Sequence, residues 1–255
     1  MRKFFTIASL LALTLSACSE EAAKSEQKGE GRVTIDCVVS TSVVDTRANI
    51  SCATPAAEDF ALKIEGVSHT YTEDYETIAQ FNEENYLYNG TYKASVVAGN
   101  ISEEGYNKVT FAGSEEFVVE SRKNTEVSIS ATIANAIVKV EVTENFERYF
   151  EGGHTLTLTT AAGNEFDVTA QTELLFIAPE NFTISGTATK QPNQSGAEGV
   201  EVTIPEYKPT KVEAQTLYTV KFDVEDAGSA TLTITLNETL VDSIEIEQEL
   251  NDNAK

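Results

Sequence analysis

From Gly31 onward the chain alternates apolar and polar residues with a period of two, the mark of strands buried on one face. Val33, Ile35, Cys37 and Val39 share a face. So do Ala48, Ile50 and Cys52, then Phe60, Leu62 and Ile64, then Tyr92, Ala94 and Val96. The rhythm returns at Val127–Ile133, Val138–Val142, Leu156 with Leu158, Phe182 with Ile184, Val200–Ile204 and Tyr218–Val224. It closes with Leu232, Ile234 and Leu236, and with Ile244 and Ile246. Thr and Val are frequent, as pleated surfaces favour. Turn residues separate the runs at Asn89-Gly90, Ala98-Gly99-Asn100, Gly152-Gly153 and Gly163-Asn164. One short helix is expected from Glu144 to Glu151. Many short strands with regular turns specify an all-β chain of antiparallel β-sandwiches.

The two halves resemble each other. Ala79-Gln80 recurs as Ala170-Gln171, Glu104-Gly105 as Glu198-Gly199, and Val127 with Ile129 as Val220 with Phe222. Two tandem sandwiches follow, residues 32–134 and 135–255, the second ending in a short disordered tail.

The N-terminus reads differently. Arg2 and Lys3 precede an apolar run from Phe4 to Leu15, short of the roughly 20 residues a bilayer span needs. Residues 1–17 are therefore read as a cleaved secretion signal. Leu15-Ser16-Ala17-Cys18 resembles the bacterial lipobox, in which the cysteine thiol receives diacylglycerol. Several acyl chains on Cys18 would hold the protein to a membrane. Residues 18–31 hold few apolar side chains and read as a flexible tether.

Charge narrows the function. Lys plus Arg number 18 and Asp plus Glu 41, a formal charge of −23. Such a chain repels nucleic acid and anionic lipid. Two histidines, His69 and His154, exclude a His-rich metal site. Neither neighbours a nucleophile, and no phosphate loop is present. The acidic pairs Glu83-Glu84, Glu103-Glu104 and Glu115-Glu116 are expected on solvated loops. Oxygen donors at Glu73, Asp74, Glu76 and Asn82–Asn85 are spaced unlike a calcium loop. No catalytic residue, metal or cofactor is assigned. Cys37 and Cys52, about one hairpin apart, are candidates for a disulfide outside the cytoplasm, with buried free thiols as the alternative. Tyr86 and Tyr88 point the same way on one strand and could face a ligand.

Several segments, in order, resemble a family of Bacteroidetes lipoproteins grouped as domain of unknown function 4493. They are Phe60-Ala61-Leu62-Lys63-Ile64, Asn89-Gly90-Thr91-Tyr92, Phe111-Ala112-Gly113-Ser114 leading into Phe117-Val118-Val119, Ile133 to Val140, and Asn145-Phe146 to Phe150. Thr110-Phe111-Ala112 departs from the family's Pro-Tyr-Tyr-like step. The plan is also similar to fimbrillin-like surface proteins, in which cleavage after an arginine matures the subunit; Arg32 and Arg47 are the arginines so placed here. In such bacteria Ser19-Glu20-Glu21 resembles a surface-export signal, and Asp242-Ser243-Ile244 an O-glycosylation pattern at Ser243. The resemblance implies architecture and place but no activity; with the lipobox, the sandwiches and the lack of a catalytic pattern, the chain is read as a lipid-anchored interaction or adhesion protein of the outer membrane, facing the cell exterior, without enzymatic activity. Its partner would be a protein or glycan. The alternative is a glycan- or small-ligand-binding surface lipoprotein for nutrient capture.

Overall fold

The computed structural model describes residues 29–44, 50–190, 199–226, 230–236 and 246–249. The first half contains β1 (Glu30–Ser40), β2 (Ala61–Gly66), β3 (Thr72–Tyr75), α1 (Ile78–Glu84), β4 (Tyr86–Tyr88), β5 (Gly90–Ala98), β6 (Gly105–Tyr106), β7 (Phe111–Val119) and β8 (Asn124–Ile133). The second contains β9 (Ala136–Val142), α2 (Glu144–Tyr149), β10 (His154–Thr160), β11 (Glu165–Asp167), β12 (Leu175–Ile177), β13 (Phe182–Thr189), β14 (Glu201–Tyr207), β15 (Leu217–Asp226), β16 (Ala230–Leu236) and β17 (Ile246–Glu249).

The all-β architecture is as the alternation predicts. In β1 every second residue from Gly31 to Cys37 is buried. The strand orders reveal a repeat. In the first half the order is β3-β2-β5-β7-β8-β1-β4. In the second, β11-β10-β13-β14 and β15-β9-β12 reproduce its two segments in the same sequence. The seven-stranded sheet is laddered at its middle through Phe111↔Ile133 and Ala112↔Thr132. Because β1 and β2 face one core cluster despite their separation in the sheet, the sheet folds over into two layers. The second half packs its layers around another cluster, including Phe146, Phe150, Phe182 and Phe222.

Two features depart from a purely antiparallel plan. β1 runs parallel to β8 over Arg32–Ser40, and β9 runs parallel to β15 over Ile137–Val142. Each joins the first strand of a half to a late one, and the intervening strands supply the long crossover that parallel pairing requires. The predicted helix forms as α2, its first turn capped by the Thr143 hydroxyl accepting from Phe146 N. A second helix, α1, occupies Asn82-Glu83-Glu84, expected as a loop. Its buried Ile78 and Phe81, three residues apart, seat it on the first core.

The free edge of each first strand is closed by a side-chain amide at an equivalent place. Asn82 accepts from Ile35 N at 3.0 Å and donates to Ile35 O at 2.9 Å. Gln171 accepts from Val140 N at 2.7 Å and donates to Val138 O at 2.9 Å. Ile35 and Val140 are counterparts, since they pair with Val127 and Val220. An amide thus replaces a neighbouring strand where β4 and β12 stop short.

Candidate interaction face

The parallel ladders give the molecule a direction. β1 and β8 run from Glu30 and Asn124 toward the junction, and β9 and β15 run away from it toward α2. One end, the head, carries the start of β1, where the N-terminal segment enters. The other, the tail, carries α2 and the end of β13, which meet where His154 packs edge-on against Phe146 at 5.1 Å and pairs with Ala188.

The head face is built on β4. Thr77 caps α1 by accepting from Gln80 N, and the helix delivers β4 against β1. Val33 N donates to Asn85 O, Asn89 N to Gly29 O, and the Tyr92 hydroxyl to Tyr88 O, each at 2.8–2.9 Å. Leu87 is buried beneath the strand. Gly31 opposite it has no room for a side chain, because a Cβ would lie 2.5 Å from Glu120 O. Alternation then turns Tyr86 and Tyr88 outward, 60 % and 49 % exposed. Arg32 stands directly across from Tyr86, Glu30 across from Tyr88, and Asn124 on the far side of Arg32. Three residues singled out in the sequence, Tyr86, Tyr88 and Arg32, therefore converge on one face. Arg32 lies within a strand laddered on both sides, so a protease would have to open the sheet to reach that bond.

The same face exists in the second half, where it is covered. Asn124, Arg32 and Tyr86 correspond to Leu217, Ile137 and Phe176 by ladder register. Ile137 and Phe176 are 0 % and 2 % exposed and belong to the first half's core, with Leu217 packed against it. The β5–β7 connection completes the cover. Its β6 adds to the edge of β12, pairing Gly105 with Phe176 and Tyr106 with Leu175. Glu104 fastens it: its carboxylate accepts from Thr160 Oγ1 at 2.6 Å, Asn164 Nδ2 at 2.8 Å and Ala178 N at 2.9 Å. The Tyr106 hydroxyl donates to Asp167 O at 2.9 Å. Gln215 bridges back through its side chain to Ser42 O and its own N–H to Asn135 O. Sequence reasoning treated Glu104 as a solvated acid; the recurrence of Glu104-Gly105 was the available signal.

Other candidates lie apart. Glu73 accepts from the Tyr71 and Tyr75 hydroxyls at 2.7 and 3.2 Å. Burial and these contacts push the Tyr71 phenol well above its ordinary value. His69 packs edge-on against Tyr92 at 4.8 Å. Among the described residues no three His, Cys, Asp or Glu side chains converge as metal ligands. A cavity of about 420 Å³ beside Tyr106, Gln171 and Glu173 and one of about 300 Å³ beside Lys63, Asp74 and Val97 are both open to solvent.

Of the two alternatives for Cys37 and Cys52, the structure has the free thiols and not the candidate disulfide. Cys52 lies in an irregular segment, not on a strand neighbouring β1, whose ladders are with β8 and β4. Burial pushes the Cys37 thiol up, the Asp36 charge adding to it, and burial does the same for Cys52. Cys18, Ser19, Glu20, Glu21, Arg47 and Ser243 lie outside the described residues.

Comparison with known families agrees with the sequence resemblance. The model described as Domain of unknown function (DUF4493) matches residues 29–252. The chain belongs to this family. No curated protein matches it. Solved structures similar to this DUF4493 chain include a candidate cell adhesion protein of Bacteroides eggerthii, at 10 % identity, TM-score 0.41, covering 78 % of this chain and 86 % of that one. A candidate polysaccharide-binding protein (DUF1812) of Bacteroides thetaiotaomicron matches at 9 % identity and TM-score 0.44, covering 88 % and 100 %. A candidate adhesin of Bacteroides ovatus matches at 9 % identity and TM-score 0.40, covering 88 % and 96 %.

Proposed function

We propose that this is a lipid-anchored interaction or adhesion protein of the bacterial outer membrane, with tandem sandwich domains and no catalytic role. It meets its partner through the head face formed by Tyr86, Tyr88 and Arg32. One observation carries the reading: the counterpart of this face in the second half, Phe176 with Ile137, is buried in an interface. At the head the same surface stands open and carries two exposed tyrosines, side chains that contribute disproportionately to binding energy. Acyl chains on Cys18 supply attachment, and Ser19-Glu20-Glu21 directs export to the cell exterior. This plan is fimbrillin-like.

The test is attachment. Cells producing Tyr86→Ser/Tyr88→Ser at wild-type surface level are expected to attach to one another or to an immobilised matrix less than wild-type cells. Unchanged attachment at equal surface level would remove the head face from the function. A second reading is favoured by the i, i+2 spacing of the two exposed rings on one strand: tyrosine faces at this spacing suit successive rings of a neutral glycan. Loss of glycan-array binding in the double variant would support that reading.

A further inference from the structure

We propose that the head seats on the lipid surface that carries the Cys18 anchor, with Tyr86 and Tyr88 at headgroup level and Arg32 and Arg122 on anionic headgroups. This rests on the interaction reading of the head face and on the anchor, and it names the partner.

The chain enters the folded part at this face. Gly29 O accepts from Asn89 N at 2.9 Å, and a Cβ at Gly29 would lie 2.4 Å from Ser121 Oγ. The entry point is thus fixed between the β4–β5 and β7–β8 turns. Cys18 and Gly29 are 11 residues apart in the chain, a span of at most about 38 Å. A molecule standing on its tail would hold Gly29 off the surface by the length of β1 and β9, which have 11 and 7 residues, roughly 60 Å. An anchored molecule can therefore stand on its head but not on its tail.

The side chains at the head suit that position. Tyr86 and Tyr88 lie on β4, the last strand of its sheet, and both rings are exposed. Tyr88 stands across from Glu30, the first residue of β1, and directly before the turn at Asn89. A phenol can bury its ring at the apolar boundary and keep its hydroxyl in water, which is why tyrosine collects at membrane interfaces. The covered counterpart in the second half has the plain ring of Phe176.

Charge turns the same end inward. The chain as a whole, with 41 acids against 18 cations, repels an anionic surface. Once anchored it cannot leave, and the repulsion only orients it. Exposed at the rim are Arg32, Arg122 and Lys123 against Glu30 and Glu120, with Glu83 and Glu84 set back before β4. Lys123 pairs with Glu120, while Arg32 and Arg122 form no ion pair among the described residues. The Arg122 amide donates to Glu30 O at 2.7 Å, which ties its turn to the start of β1 and brings both arginines to one rim. At the tail, Glu144, Glu147 and Glu151 surround Arg148. Charges beyond a Debye length, about 8 Å, are screened, so each end meets lipid with its own groups. Guanidinium groups near an anionic surface are attracted to it, and the tail carboxylates are repelled.

The test uses the chain's lack of tryptophan. Full-length acylated protein carrying Tyr88→Trp is placed in vesicles of phosphatidylethanolamine and phosphatidylglycerol. The introduced indole is expected to emit further to the blue than in the unanchored Cys18→Ala form and to be quenched by brominated lipid. Val97→Trp, on a side wall of the first half, should emit alike in both settings. Arg32→Glu/Arg122→Glu should return the Tyr88→Trp emission to that of the unanchored form. Unshifted, unquenched emission from Tyr88→Trp in vesicle-bound protein overturns the proposal and leaves the head face to an external protein or glycan. Equal quenching in Tyr88→Trp and Val97→Trp, or quenching that survives the arginine changes, also overturns it. Protein that fails to float with the vesicles removes the anchor and the proposal together. Quenching as expected, with unchanged attachment by Tyr86→Ser/Tyr88→Ser cells, keeps the proposal and removes the adhesive role of the face.

Discussion

Replacing Glu104 by Gln tests whether a single carboxylate holds the β5–β7 connection on the second half. In the native chain one oxygen accepts from Thr160 Oγ1 and Asn164 Nδ2 and the other from Ala178 N. Hydrogen bonds to a charged group contribute about 1.5–3 kcal/mol each in mutational series. The glutamine keeps one carbonyl acceptor and turns an NH2 group toward donors that have lost theirs. Since the site is partly open to solvent, water recovers part of the loss, and a net weakening of about 2 kcal/mol is expected. If the connection opens locally, the Ala178 amide, which donates to this carboxylate, should exchange with solvent about thirtyfold faster. The Phe176 and Gly105 amides should follow if the two strands separate together, while Val96 and Ile129 in the first core stay protected. Native-state hydrogen exchange read residue by residue measures all of these. Exchange at Ala178 within twofold of wild type would show that Glu104 is not the fastening and that the short ladder holds by itself.

Other outcomes follow from the same geometry. Gln171→Ala leaves Val138 O and Val140 N without their partner, and a loss of about 1–3 kcal/mol in denaturant unfolding is expected; Asn82→Ala should act alike at Ile35, and no loss in either would contradict the strand-replacing role. Both Cys37 and Cys52 should take iodoacetamide at once when the protein is denatured without reductant, and a protein lacking free thiols there would restore the disulfide. In the folded state burial holds both thiols above the ordinary range, so their labelling should keep accelerating with pH beyond the point where a free cysteine levels off, because the thiolate is the reactive form. Cys18→Ala should move the protein from the membrane to the soluble fraction, and retention on membranes would refute the lipobox reading.

The strands were legible because burying one face of a pleated strand forces alternation, as β1 displays from Gly31 to Cys37 and β8 from Val127 to Ile133. Alternation carries no information about the direction of a neighbour, so the parallel ladders of β1 with β8 and β9 with β15 were not legible. β6 was missed because two residues hold no period. α1 was missed because seven residues with two apolar anchors are a weak helical signal in a chain of strands. At the head face, Tyr86 and Tyr88 could be read as co-directional from their spacing. That Arg32 lies across from Tyr86 required the register of two strands more than fifty residues apart. The role of Glu104 was hidden for a different reason: an acidic pair on a loop has the same appearance whether it faces water or three donors from another part of the chain.

The central claim, that the head face meets a partner, is tested most directly by hydroxyl-radical footprinting of Tyr86 and Tyr88. Both rings are exposed in the isolated chain, so the purified protein should oxidise readily at both. On intact cells with the protein at its native level, the account expects these two rings to be protected while the exposed Val97 and Val118 oxidise as in the purified protein. Equal oxidation of Tyr86 and Tyr88 in the two settings would mean that nothing covers the head face on the cell, and would contradict the account.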